Sequence, residues 1–156
     1  HTTLYLSSAA SDVYKRQGLA CCLYRDKTYV AQLAEVHVDD RKQTLRVGRV
    51  ITAIDCGFVV NPEGVRKQVE GGVTMATSYS LGEAVKIEDA TMSNASFGRY
   101  PILRIDAAPQ VETILVGASQ TPSVGAGEPV TVPVAAALAN AYFDATGIRK
   151  RSLPLR

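Results

Sequence analysis

A chain of 156 residues is long enough for one domain with a real core. Its 46% hydrophobic and 21% charged residues are ordinary globular values. Seventeen basic against fifteen acidic residues leave a net charge of +2, too balanced for a general nucleic-acid binder. There is no apolar run of about 18 residues to span a membrane. Cys21, Cys22 and Cys56 lack CxxC spacing. That argues against a disulfide framework and against a zinc or iron–sulfur site made by this chain alone.

Residues 1–17, HTTLYLSSAASDVYKRQ, show no hydrophobic period, and they lack the basic start and long apolar stretch of a signal peptide. Residues 7–17, SSAASDVYKRQ, resemble the in-frame translation of a transposase adapter used in preparing sequencing libraries. Residues 1–17 are therefore set apart as an adapter-like, non-native piece. The fold is read from Gly18 onward, as the end of a longer reading frame.

Residues 29–38 alternate: Val30, Ala34, Val36 and Val38 share one face, broken by Gln32, which predicts a strand. Asp39 and residues 40–42 form a polar turn. Residues 44–54, rich in β-branched side chains, form a second strand, and the pair is most simply an antiparallel hairpin. Asn61-Pro62-Glu63 starts a helix: Asn caps free amides, Pro suits the first helical position, and Glu favours the positive end of the dipole. Val65, Val69, Val73 and Tyr79 follow helical spacing to about Ser80. Gly71-Gly72 inside that helix cost about 1 kcal/mol each relative to Ala, so another element or a ligand is expected close to the backbone there.

Residues 83–88 read as a short strand ending in a turn at Asp89-Ala90, and residues 100–105 and 111–116 as two further strands. Pro101 and Pro109 restrict these to edges or strand starts. After the glycine-rich stretch SVGAGEP (123–129), Val130, Val134, Leu138 and Tyr142 are spaced by four within an alanine-rich helix, with Gly147 as its stop.

Glu128 is the foremost candidate for chemistry. It follows Gly125-Ala126-Gly127 and precedes Pro129, which favours extended geometry at Glu128. A carboxylate among Val124, Val130 and Val132 is expected to resist ionisation, as a general base working near neutral pH requires. Spacing alone leaves open that it merely complements a helix dipole. A phosphate-cradle reading of GAGEP is weak, because no Lys, Ser or Thr follows the second glycine and Glu128 repels anions. Gln68 shares a helix face with Gly71 and Gly72, a station for a polar cofactor or simply an exposed polar position. Cys56, Cys21 and Cys22 read as core residues. His37 reads as a residue of a solvent-facing surface, and Arg149, Lys150, Arg151 and Arg156 as a solvated tail.

Taken in order, AIDCGFVVNPEGVRKQVEGGV (53–73), YPILRIDAAPQVE (100–112), SVGAGEPVTVPVAAALANAYFDATG (123–147) and RSLPL (151–155) resemble one family. They are similar to the C-terminal end of the molybdopterin-binding large subunit of xanthine dehydrogenases and aldehyde oxidases, with an isoquinoline 1-oxidoreductase-like flavour. The resemblance implies a mixed α/β (α+β) piece of a molybdenum-cofactor-binding domain, with mostly antiparallel strands and two main helices, truncated and inactive alone.

It also implies that Glu128 is the active-site base. The glutamate would take the proton from a molybdenum-bound hydroxide whose oxygen attacks an electron-poor carbon of an aldehyde or N-heterocycle. Gln68, Gly71, Val124, Gly125, Ala126 and Gly127 would lie against the pterin. The metal would be held by the pterin dithiolene and by no protein side chain. The implied cofactor is molybdenum-molybdopterin, with the cytosine dinucleotide form as one option. The implied partners are the upstream part of the same subunit, a small subunit with 2Fe–2S clusters, and an FAD subunit or a cytochrome c. Nucleic acid and a membrane span are not expected, and the compartment is cytoplasmic or periplasmic. Two other readings stay open: a non-catalytic α/β binding or assembly module docking through the Gly71-Gly72 helix, and a small anion binder.

Overall fold

The computed structural model describes residues 13–39, 44–117 and 121–155. Strands β1 (Val13–Tyr24), β2 (Thr28–Asp39) and β3 (Thr44–Asp55) form an antiparallel meander. Helix α1 (Pro62–Leu81) follows, then a minimal hairpin of β4 (Ile87–Glu88) and β5 (Thr91–Met92). Strand β6 (Gln110–Leu115) joins β3 in parallel, giving the order β1-β2-β3-β6, and helix α2 (Val134–Thr146) ends the fold. The fold is thus the expected mixed α/β one with a mostly antiparallel sheet.

The alternation of β2 does what its pattern predicts. Val30, Ala34, Val36 and Val38 are buried against the helices. Gln32, which breaks the pattern, is also fully buried, because its Nε2 donates to the Val130 carbonyl at 2.8 Å. Asn61 caps α1 by accepting from the Gly64 amide at 3.0 Å. Val130, Val134, Leu138 and Tyr142, the set spaced by four, are all buried. Gly147 ends α2 in the left-handed conformation. The expected turn over residues 40–42 lies outside the described residues.

Three differences have physical reasons. First, β1 is not among the expected elements, and it begins at Val13, inside the segment set apart as adapter-like. A strand ladder pairs backbone with backbone, so side-chain pattern is a poor guide to an edge strand. Helix α2 also holds that edge: Asn140 Nδ2 donates to the Leu19 carbonyl at 2.9 Å, and Asp144 accepts from the Gln17 amide at 3.3 Å. Gly18 makes the approach possible, since a Cβ there would lie 2.1 Å from the Ala137 carbonyl oxygen.

Second, residues 100–105 form no strand. The chain there turns on itself, with Ala107 N bonded to Arg104 O at 2.9 Å in a 3₁₀ turn (Ile105–Ala107), and Ile105 is 96% exposed. Third, the strand expected over 83–88 shrinks to β4. Asp89 and Ala90 both take positive φ at the tight turn into β5.

Candidate active site

The first helix and the glycine-rich stretch meet at one cleft. α1 presents Gln68, Gly71 and Gly72, and the stretch after β6 brings Gly127 and Glu128 opposite them, enclosing about 460 Å³ with Lys67 at the rim. The close approach expected at the glycine pair is made at Gly72, and a second one is found at Gly127. A Cβ on Gly72 would lie 2.5 Å from Val130 Cγ2, and one on Gly127 would lie 3.3 Å from Gln68 Oε1. Gly71 has nothing within 4 Å of such an atom, so bare helix backbone faces open space. Gln68 also lines a second, smaller cleft of about 290 Å³ with Cys56, Asn61, Ser123 and Val124. It therefore stands on the partition between the two.

Of the other residues expected at the site, Gly125 is exposed and gives its carbonyl to Thr28 Oγ1 at 3.0 Å. Ala126 packs against the core and lines neither cleft.

The surroundings of Glu128 correct one expectation. The residue opens a 3₁₀ turn (Glu128–Thr131) instead of closing an extended segment. Its side chain is 73% exposed and is not enclosed by Val124, Val130 and Val132. Val130 points into the core, and Val132 is itself half exposed. The carboxylate has polar company instead. The Tyr24 hydroxyl donates to Oε2, and the Arg25 guanidinium stands 4.0 Å away. That hydrogen bond favours the neutral phenol and pushes the Tyr24 hydroxyl above its ordinary pKa.

Tyr24 and Arg25 lie more than a hundred positions before Glu128, so no local motif could have pointed to them. Gln32 did carry a signal, as the polar residue interrupting an apolar strand face. Together with Cys22, whose thiol lies 3.7 Å from the Pro129 carbonyl, these residues make the β1–β2 hairpin a scaffold for the loop. Burial raises the pKa of the Cys22 and Cys56 thiols, which suits packing residues and not reactive ones. Among the described residues, no group of three or more His, Cys, Asp or Glu side chains could hold a metal ion. No helix there is long and apolar enough to cross a membrane.

The residues present fit a bulky polar cofactor of the pterin kind. Two clefts flank a side-chain amide, and at Gly71 a Cβ would meet nothing, so a planar ligand can lie against the helix backbone.

A model of the molybdopterin cofactor-binding domain matches residues 7–109. The chain belongs to this molybdopterin cofactor-binding family. Gln68 and Gly71 lie inside the matched part and Glu128 beyond it. The chain is 40% identical over 162 aligned positions to a nicotinate dehydrogenase subunit of Pseudomonas putida, covering 99% of this chain and 14% of that protein. It is 36% identical to the beta subunit of isoquinoline 1-oxidoreductase from Brevundimonas diminuta, covering 89% and 18%.

Among solved structures, quinoline 2-oxidoreductase from Pseudomonas putida 86 superposes with a TM-score of 0.76 at 24% identity, over 82% of this chain and 17% of that one. The aldehyde oxidoreductase of Desulfovibrio desulfuricans gives 0.70 at 29% identity, over 81% and 14%. This molybdopterin-binding chain thus spans less than a fifth of these relatives, and it shares their cofactor-domain fold.

Proposed function

We propose that the chain is the catalytic-glutamate end of a molybdenum hydroxylase that oxidises aldehydes or N-heterocycles with oxygen derived from water. The observation that carries this reading is the meeting of Gln68, Gly71 and Gly127 with Glu128 at one cleft, in a chain of the molybdopterin cofactor-binding family. The names of its relatives, which act on nicotinate, isoquinoline and aldehydes, support the substrate class.

When bound, the molybdenum pterin supplies the two-electron redox chemistry and the site at which water-derived oxygen is activated. This chain supplies binding and proton handling. The Gln68 amide donates to and accepts from the polar edge of the pterin. Gly71 lets the ligand approach the main chain, and Gly127 leaves room for the Gln68 head. Glu128 takes up the proton of the oxygen nucleophile, at a carboxylate that the hairpin residues keep in reach of the cleft. The cytosine dinucleotide form of the cofactor, 2Fe–2S clusters on a partner subunit, and an FAD subunit or cytochrome c as electron acceptor belong to the same proposal.

The test is Glu128→Gln in the complete subunit loaded with pterin. Turnover falls by about 10²- to 10⁴-fold, the usual contribution of a positioned base, while pterin content stays at the wild-type level. Undiminished turnover would refute the role.

A further inference from the structure

Three side chains of the β1–β2 hairpin hold the glycine-rich loop by its main chain: Cys22 at the Pro129 carbonyl, Thr28 at the Gly125 carbonyl and Gln32 at the Val130 carbonyl. They fix the loop backbone and leave the Glu128 side chain free to rotate. A largely exposed glutamate samples many rotamers, and ordering it has an entropic cost. One further hairpin residue reaches past the backbone. Tyr24, the last residue of β1, donates its hydroxyl to Oε2 of Glu128.

We infer that Tyr24 is a positioning residue for Glu128: its phenol holds one carboxylate oxygen and leaves Oε1 to take up the proton. The inference rests on Glu128 being the base.

The charged and titratable groups around the carboxylate are few. Tyr24 and Arg25 come from the hairpin, and Lys67 of α1 lines the same cleft, paired with Glu70 at 2.8 Å. The Cys22 thiol behind the loop is held neutral by burial. Arg25 is exposed, and at 4.0 Å it adds little through solvent. The phenol is therefore the directed contact, a hydrogen bond to a charged acceptor. Without it, the exposed carboxylate is free to turn away from the cleft.

The contact is read without any cofactor by following phenolate absorbance in the 156-residue chain. The wild-type minus Tyr24→Phe difference gives the titration of Tyr24, which is expected above the ordinary value. Glu128→Gln should bring it back toward the ordinary value of 10.0. That second variant leaves Tyr24 in place, so the result stands even where the phenylalanine variant fails to fold.

In the complete, pterin-loaded subunit, Tyr24→Phe should lower kcat by about tenfold at unchanged KM and unchanged pterin content, because one charge-assisted hydrogen bond that orders the base is lost. If Glu128→Gln abolishes turnover while Tyr24→Phe leaves kcat in place, and Tyr24 titrates at its ordinary value, the positioning role is overturned and the base role survives. If Glu128→Gln keeps full turnover, both fall.

Discussion

Two neighbouring glycines on α1 meet different surroundings. Gly72 lies under Val130, with 2.5 Å left for a Cβ, whereas Gly71 opens on the cleft with no neighbour within 4 Å. Gly72→Ala must push Val130 aside within a packed core, which costs about 1–3 kcal/mol. Gly71→Ala meets no clash and removes helix-breaking backbone freedom, for a gain of up to about 1 kcal/mol. Urea unfolding of the two variants checks the pair, and equal effects would contradict the geometry. The same alanine at position 71 should lower the pterin content of the complete subunit, because it places a methyl where the ligand is to lie.

At the scale of elements, the β1–α2 contact depends on Gly18. An alanine there would press on the Ala137 carbonyl oxygen at 2.1 Å and the Ala141 amide at 2.2 Å, both backbone atoms that cannot rotate away. Gly18→Ala should cost about 3 kcal/mol, the upper part of the overpacking range. Faster hydrogen exchange should appear first along β1 and α2.

The same contact shows what a sequence can and cannot disclose. The α1 cap at Asn61 and the set Val130, Val134, Leu138 and Tyr142 were legible because a cap and a helical period are local. β1 was not, since its edge is completed by Asn140 and Asp144 from the far end of the chain. Gln68, Gly71 and Glu128 were named from a resemblance and from residue type, and the three line one cleft. Tyr24 was not, because a hydrogen bond to a residue 104 positions away leaves no period in the sequence. The apolar residues at 100–105 misled because alternation says which side chains share a face, not whether a neighbouring strand exists.

At the scale of the whole molecule, both helices lie on one face of the sheet. The other face carries Leu19, Leu23, Tyr29 and Ile114, all about half exposed or more. In the ladder, Leu19 pairs with Leu33 and Leu33 with Ile51, while Leu23 pairs with Tyr29 and Ala53 with Ile114. The exposed residues thus form a continuous apolar surface, the kind of feature that marks an interaction face or an aggregation liability. The 156-residue chain alone should self-associate as its concentration rises. Leu19→Lys combined with Ile114→Lys should return it to a monomer on size exclusion, with its circular dichroism unchanged. A native-sequence chain that stays monomeric throughout would contradict this.

One irregularity inside the sheet has a consequence for how the chain can vary. Along β2 and β3, Glu35 pairs with Arg49 and Val36 with Val47, so Gly48 is an extra residue, lying beneath the His37 ring. Without it, Val47 and Val50 would sit two places apart and face the core together, as they do now. A strand normally cannot lose one residue without turning every later side chain inside out. Here one residue can be deleted and the inside stays inside, so Gly48 is a place where the hairpin can change length by one while the core keeps its phase.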